Sequence, residues 1–143
     1  MVNPPRSPGL VDRLVPESVI GAVTGTIAHP QDLLLGRYDR DERLRYVGRS
    51  TPLNPTMAVA LGRLLTPSAP GHPWVGKQFS AGWRTRESIA PLLVEPHVVV
   101  EISPDAAQKD GRFRHLAKVV RVRPELRPHQ VAKFLENDEN AGG

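Results

Sequence analysis

The sequence contains no cysteine, few aromatic residues and no long apolar run. Without cysteine, the chain has no disulfide bonds, thiolate zinc sites or cysteine nucleophiles, and it fits a reducing compartment. No stretch approaches the roughly 18 apolar residues of a membrane-spanning helix, and residues 1–8 show no signal-peptide pattern. With two Trp, two Tyr and three Phe, the core must consist mainly of aliphatic side chains. We therefore expect a cytoplasmic protein that does not associate with a membrane.

The length and charge of the chain predict one folded domain. Its 143 residues include 39% hydrophobic and 24% charged side chains, which is enough for a single core. The 19 basic residues outnumber the 15 acidic ones, and arginine, which binds phosphate in a planar, bidentate manner, dominates the basic set. A GC-rich coding sequence explains this bias equally well. We expect a proline-rich leader or linker at 1–17, a domain at 18–135 and a disordered acidic tail at 136–143.

The apolar pattern predicts five strands and two helices. The strands are expected at residues 18–27, 32–38, 44–49, 92–102 and 113–123. A helix with Asn54 as N-cap and Pro55 as its first residue follows the third strand, and a short one is expected at 128–135. This order predicts an all-β fold, a five-stranded Greek-key OB-fold barrel with a helix between strands 3 and 4 and a short C-terminal helix.

Finer features of the pattern concern the first strand, the first helix and a long loop. Alternation in the first strand places Val19, Val23 and Ile27 on one face, and glycines on that face predict a bend or bulge. In the first helix, Met57, Leu61, Leu64 and Leu65 are expected to form one apolar stripe. The loop at 68–88 contains three aromatic residues, which predicts a packed loop; they are Trp74, Phe79 and Trp83.

The strongest charge cluster lies near the C-terminus. Between residues 112 and 127, the basic side chains are opposed only by Glu125; they are Arg112, Arg114, Lys118, Arg121, Arg123 and Arg127. Arg121 and Arg123 alternate with valines, so both are expected on one strand face. Because neighbouring arginines repel each other, a bound polyanion is favoured here over a merely solvated face. Arg45 and Arg49 share a face of the third strand, where solvation is the simpler interpretation, and they would extend the same phosphate-binding surface.

Signatures of catalysis are weak. Lys109-Asp110-Gly111 is similar to the Lys-x-Asp-Gly motif of nucleotidyltransferases, but it lacks the intervening residue, and Asp-Gly is typical of a hairpin turn. The histidines lack the spacing of metal ligands. We therefore predict no catalytic residue and no metal site on this chain alone.

Seven short segments form a recognisable series along the chain: IGAVTG (20–25), LGRY (35–38), LRYVGRS (44–50), GHPW (71–74), VEP (94–96), VE (100–101) and GRFRH (111–115). They resemble the C-terminal OB-fold domain of actinobacterial ATP-dependent DNA ligases. Each is short, but together they extend from about residue 19 to residue 131 in the family's order. The resemblance implies a role in DNA ligation and repair.

The resemblance also implies roles for the basic strand. Residues 114–126 look like the last conserved ligase motif, which orients the pyrophosphate of ATP during self-adenylation; Arg114, Arg121 and Arg123 are the matching residues, with Arg123 as the central arginine. Arginine stabilises the negative charge that develops there. When DNA binds, the family's domain swings so that another face meets the minor groove. The expected DNA-binding residues are Arg45, Arg49, Arg112, Lys118, Arg121 and Arg123.

Departures from the family pattern leave several functions open. This chain has Phe113, Leu116, Lys118 and Glu125 where relatives tend to have Trp, Pro, Arg and Asp. A nucleotidyltransferase domain would precede residue 19, so we expect no catalysis and no cofactor on this chain alone; ATP and Mg²⁺ would require a nucleotidyltransferase partner.

The hypotheses are a stand-alone module for duplex or nicked DNA, half of a split ligase, a truncated remnant, or a protein-interaction barrel. Few aromatic residues on the strands favour duplex over single-stranded DNA.

Overall fold

The computed structural model describes residues 17–75, 79–80, 88–89, 91–103, 108–109, 112–113 and 116–133. These residues are mostly β-structure. The strands are β1 (Glu17–Gly25), β2 (Pro30–Tyr38), β3 (Leu44–Arg49), β4 (Phe79–Ser80), β5 (Ser88–Ile89), β6 (Leu92–Leu93), β7 (Val99–Ile102), β8 (Gln108–Lys109), β9 (Arg112–Phe113) and β10 (Val119–Val122). The described residues contain one α-helix, α1 (Pro55–Gly62), and a 3₁₀ turn at Pro128–Gln130. Apart from Glu17, the predicted leader and tail lie outside the described residues.

The main sheet has the strand order β10-β7-β1-β2-β3, all antiparallel, and β6 pairs with β1 beside it. Strands β4 and β5 pair with each other, as do β8 and β9. The mostly β character of the chain and the helix after its third strand are therefore confirmed. Among the described residues the pairing order forms an open path. In the β8–β9 pair Lys109 lies opposite Arg112, the pairing expected of a hairpin whose turn, at 110–111, lies outside the described residues.

The two predicted C-terminal strands are each divided in the structure. The prediction of one strand at 92–102 is wrong, because β6 ends at Leu93 and β7 begins at Val99. Between them Pro96 has no backbone N–H to donate to a ladder, and the N–H of His97 bonds to the carbonyl of Glu95 instead, at 2.8 Å. Likewise, the strand predicted at 113–123 consists of β9 and β10 with a break between them.

A bulge at Gly21 divides the first strand between two apolar clusters. The β1–β2 register shifts between Ile20 and Ala22, which turns Ile20 and Val23 to the main core cluster and Val19 and Ala22 to a second one. The prediction that Val19, Val23 and Ile27 share a face is therefore wrong for Val19. Simple alternation fails because a bulge inserts an extra residue and reverses the facing of those that follow.

Trp74 closes the second core cluster. Its side chain is 3% exposed, and its indole Nε1 donates a hydrogen bond of 2.8 Å to the carbonyl of Leu44. The ring lies on two glycines: a Cβ on Gly21 would be 2.4 Å from Trp74 Cζ3, and one on Gly36 would be 3.0 Å from Cζ2. Only glycine allows this approach at Gly21. For Trp74, the packed loop predicted from the sequence is present.

The helix begins as predicted and ends earlier. The side chain of Asn54 accepts a hydrogen bond of 2.8 Å from the backbone N–H of Met57, with Pro55 at the first position. The helix ends at Gly62, whose Cα lies so close to the Ala28 carbonyl that a Cβ would be 1.8 Å from the oxygen. Leu64, predicted on the buried stripe, is 48% exposed, whereas Leu65 is 8% exposed; both lie beyond the helix end, where helical spacing no longer determines which side chain is buried.

The predicted C-terminal helix at 128–135 is wrong in extent. The structure has only the three-residue 3₁₀ turn Pro128–Gln130, after which Val131 has extended backbone angles, φ −74° and ψ 146°. Val131 is 4% exposed and packs in the second core cluster, and this packing holds the chain in an extended path. The 3₁₀ turn also lies against β2, where the rings of Tyr38 and His129 stack with centroids 4.6 Å apart.

Candidate nucleic-acid interface

Arg121 and Arg123 lie at the edge of the main sheet, on and just after β10. Arg121 is opposite Glu101 of β7, and the backbone N–H of Arg123 bonds to the carbonyl of Val99 at 2.8 Å. A register shift between Val119 and Arg121 turns Val120 outwards, where it is 45% exposed. Val122, which lies between the two arginines in sequence, packs against the main core cluster.

Arg123 is surrounded by three carboxylates. Its Nε donates to Glu125 Oε2 at 2.7 Å, and its Nη1 donates to Glu17 Oε2 at 2.9 Å and to Glu101 Oε1 at 3.4 Å. The side chain is 18% exposed. The hydrogen bond with Glu125 is the main cause of the raised pKa of Arg123. Charge-assisted bonds of this kind fix both position and orientation, so Arg123 is held in one place by three other parts of the chain.

Arg121 is bound much less tightly. Its Nε donates to Glu101 Oε1 at 2.8 Å, and its side chain is 63% exposed. Its two Nη groups have no acceptor among the residues that the structure describes. Since each guanidinium carries five N–H donors, Arg121 presents most of its capacity for hydrogen bonds to the solvent. This is the geometry of a side chain available to an external anion.

The arginines and glutamates form a balanced group, which we call the arginine–carboxylate cluster: Arg37, Arg121, Arg123, Glu17, Glu101 and Glu125. Arg37 joins it through an Nε bond of 3.0 Å to the carbonyl of Glu17. Burial lowers the pKa of Arg37, and the charge of Glu17 counteracts this. The sequence argument favoured a bound polyanion as the group that offsets the repulsion between the paired arginines. In the structure, carboxylates of the same chain lie beside both arginines, and binding of a polyanion there stays a prediction.

The two arginines of β3 also have carboxylate partners. Arg45 Nη1 lies 3.3 Å from Asp39 Oδ2. Burial alone would raise the pKa of Asp39, but hydrogen bonds from the backbone N–H of Arg43 and from the Arg45 guanidinium hold it below its usual value. Arg49 bonds to the buried Asp32 through Nη2 and, at 3.0 Å, through Nε, and its side chain is 18% exposed. Arg49 therefore stabilises the fold by pairing with a buried carboxylate.

The remaining predicted residues differ in what the structure describes. Lys118 is exposed just before β10, and its carbonyl accepts a bond of 2.8 Å from the N–H of Ser103. Arg112 lies on β9, of which the backbone pairing alone is described. Arg114 lies outside the described residues. The structure therefore brings Arg121, Arg123 and Lys118 to one edge of the sheet, with Arg45 and Arg49 at the opposite edge strand.

Sequence reasoning missed the acidic members of the cluster and Arg37. One signal was present: Glu101 interrupts an apolar strand between Val100 and Ile102, and a charged side chain within a strand needs solvent or a partner. No such signal links Glu17 to Arg123, since 106 residues separate them. The partners of an arginine on an edge strand depend on which strands become neighbours, and strand order is a property of the whole fold.

The residues that the structure describes contain no group of three or more His, Cys, Asp and Glu that could hold a metal ion. They also contain no helix that is long and apolar enough to cross a membrane.

The antiparallel sheet, the helix after its third strand and the charged edge strand define a small, mostly β domain. The chain belongs to the family described as the ATP dependent DNA ligase C terminal region, whose model matches residues 28–126. This confirms the family resemblance that the sequence motifs indicated.

Two solved structures are similar in fold. The ligase domain of M. tuberculosis LigD matches with a TM-score of 0.61 and 22% identity, over 83% of this chain and 38% of that chain. A mycobacterial DNA ligase D complexed with ATP and MES matches with a TM-score of 0.61 and 21% identity, over 83% of this chain and 37% of that chain. This chain thus spans well under half the length of either ligase. No curated protein matches.

Proposed function

We propose that this chain is the DNA-binding C-terminal part of an ATP-dependent DNA ligase and that it contacts the phosphates of nicked or intact duplex. The observation that carries the proposal is the exposure of Arg121, which is 63% in a side chain whose Nη groups have no acceptor among the described residues. Phosphate contacts by arginine and lysine supply most of the sequence-independent affinity for DNA. Membership of the ligase family makes DNA the anion to test.

The proposed contact surface is centred on the segment before and within β10. Lys118 and Arg121 are both exposed there, within four residues of one another. Arg45 and Arg49 contribute less in this proposal, because Asp39 and Asp32 already bind their guanidinium groups. Arg112, on β9, stays a candidate for a further phosphate contact. We place the first phosphate contacts at Lys118 and Arg121.

We also propose that the sheet closes into the five-stranded OB barrel. Ser50, just after β3, forms an isolated parallel bridge with Ala117, just before β10. Around it the N–H of Ala117 bonds to the carbonyl of Arg49 and the N–H of Thr51 to the carbonyl of Ala117, both at 2.9 Å. These bonds join the two ends of the strand order. Closure would hold the surface at Arg121 and the β3 arginines in one rigid unit.

The adenylation role that the family resemblance implies is a second part of the proposal. In this proposal a nucleotidyltransferase, on a separate chain or another segment, would hold ATP and Mg²⁺. Arg123, with Arg121 and Arg114, would orient the pyrophosphate as it leaves. The carboxylates around Arg123 suit this role because they fix its guanidinium in advance.

Fluorescence anisotropy with nicked, intact and single-stranded oligonucleotides at two salt concentrations tests DNA binding. We expect salt-sensitive binding that favours duplex. Arg121→Gln should weaken it and flatten the slope of log K against log salt by about one unit. The matched control is Arg63→Gln, which removes the same charge from an exposed arginine at the end of α1. Equal effects of the two variants would contradict the assigned surface.

One observation favours a protein-interaction barrel as a second candidate. Leu116 and Val120 are exposed by 43% and 45% beside Lys118 and Arg121. Aliphatic side chains on the same edge as cations suit an acidic protein surface as well as DNA. Absence of DNA binding, together with retained folding of the chain, would favour this alternative.

A further inference from the structure

The loop at residues 71–75, which we call the Trp74 loop, is held on the sheet by two buried side chains. The indole of Trp74 rests on Gly21 and Gly36, where it closes the second core cluster. His72 is 7% exposed and lies beside it, with the two rings edge to face and their centroids 5.7 Å apart. The other three residues of the loop are exposed. The attachment of the loop to the sheet therefore depends on His72 and Trp74.

A hydrogen bond between these two residues fixes the protonation state of the histidine. The backbone N–H of Trp74 donates to Nδ1 of His72 at 3.0 Å. A ring nitrogen that accepts a hydrogen bond carries no proton, so the single proton of the neutral imidazole lies on Nε2. Nε2 is buried and has no hydrogen-bond partner among the residues that the structure describes. The closed loop therefore accommodates neutral His72 and leaves its charged form without an acceptor at Nδ1.

The groups around the ring favour the neutral form on balance. Burial lowers the pKa of His72, whereas the carbonyls of Gly21 and Val94 and the negative charge of Glu95 act in the opposite direction and are weaker. Glu95 is the charged side chain that acts on His72 within the described part of the chain. Its Oε1 lies 3.8 Å from Nε2 of His97, whose side chain is 71% exposed. Addition of a second proton to His72 therefore works against the closed loop.

We propose that His72 is a proton-operated latch, which releases the Trp74 loop from the sheet when Nδ1 of His72 gains a proton. A protonated Nδ1 is a donor and faces another donor, the N–H of Trp74, so the hydrogen bond between them is lost. The imidazolium is then closed off from water, and opening of the loop restores its hydration. One proton passes from solvent to Nδ1, and Gly21 and Gly36 become uncovered. The inference concerns the loop alone and is independent of the proposed contact with DNA.

Proton linkage sets the size of the effect. Opening is coupled to the uptake of one proton between the usual pKa of histidine, about 6.5, and the lowered pKa of His72 in the closed loop. The open population should therefore rise about tenfold for each unit that the pH falls within this window. The indole Nε1–H of Trp74 donates to the carbonyl of Leu44 at 2.8 Å and so reports the closed loop in ¹H–¹⁵N spectra. We expect its protection against hydrogen exchange, relative to a free indole at the same pH, to fall by the same factor. Protection that stays constant as the pH falls below about 6.5 would overturn the proposal.

Three comparisons separate the latch from other effects of acid. In His72→Asn the amide oxygen can accept from the same N–H two residues further on but does not titrate, so the indole protection should no longer depend on pH. His97→Gln removes an exposed histidine and should leave the pH dependence as it is. In the wild-type chain the backbone N–H of Ile20, in the main core cluster, should keep its protection, because the loop alone opens; this comparison needs no substitution. A pH dependence that persists in His72→Asn, disappears in His97→Gln or extends equally to Ile20 would overturn the proposal.

Discussion

Replacing Arg121 and Arg123 singly by glutamine should separate support of the fold from contact with DNA. Arg123 is 18% exposed and bonds through Nη1 to Glu17 and Glu101, which are themselves 17% and 16% exposed. Arg121 is 63% exposed, and among the residues that the structure describes its hydrogen-bond partner is Glu101. The two residues are close in sequence and carry the same charge, so differences between the variants report on the contacts of each side chain.

The magnitudes follow from these contacts. Hydrogen bonds to partly buried charged groups contribute about 1.5–3 kcal/mol each. When Arg123 is replaced, Glu101 still has Arg121 as a partner and Glu17 still has the nearby Arg37, so the loss is smaller than the sum of the bonds. We therefore expect Arg123→Gln to lower the free energy of unfolding by about 2 kcal/mol. An exposed pair such as Arg121–Glu101 contributes about 0–1 kcal/mol, so Arg121→Gln should have little effect on stability.

Urea denaturation followed by far-UV circular dichroism measures the difference. For a small domain, a loss of 2 kcal/mol lowers the midpoint by about 1 M. The affinity for DNA should show the opposite order: Arg121→Gln should reduce it more than Arg123→Gln, because it removes an exposed contact without disturbing the fold. Unfolding free energies of the two variants within about 0.5 kcal/mol of each other would refute the assignment of Arg123 as the buried support.

Three further predictions concern the fold around this site. Gly62→Ala should lower the free energy of unfolding by at least about 1–3 kcal/mol, because its Cβ would be 1.8 Å from the carbonyl oxygen of Ala28; an unchanged urea midpoint would contradict this close contact. Asn54→Ala removes the N-cap of α1 and should lower the free energy of unfolding by about 1 kcal/mol in urea denaturation. An unchanged free energy of unfolding would contradict a stabilising cap at Asn54. Burial lowers the pKa of His72, so its neutral form is favoured in the fold. Its contribution to stability is complete above the usual pKa of about 6.5 and is lost as the pH falls from there to the lowered pKa. His72→Asn should flatten thermal stability across that pH window, and an unchanged pH profile would exclude His72 as its source.

The elements that depend on interactions between residues close in sequence were predicted correctly. Strand β3 has the predicted bounds, and α1 begins at the predicted cap, because side-chain alternation, Asn54 and Pro55 act within a few residues. The bulge at Gly21 was expected only as a general consequence of glycine in a strand. Its position and the reversal of facing that it causes depend on Trp74, which lies on the glycine from a distant loop.

The candidate site was predicted in part. Alternation and charge predicted Arg121 and Arg123 on one face of a strand, and in the structure the Arg121 side chain is 63% exposed. The three carboxylates that bind Arg123 were not foreseen, since β1 and β7 supply two of them through the strand order of the sheet. The distinction between a fixed and an exposed arginine therefore required the fold.

The salt dependence of binding to a nicked duplex tests the central claim most directly. Anisotropy titrations of the wild-type chain from about 50 to 200 mM salt should give a linear fall of log K with log salt, with a slope set by the number of phosphate contacts. The slope should be shallower by about one unit in Arg121→Gln. Absence of binding at the lowest salt, or a slope that Arg121→Gln leaves unchanged, would contradict the account.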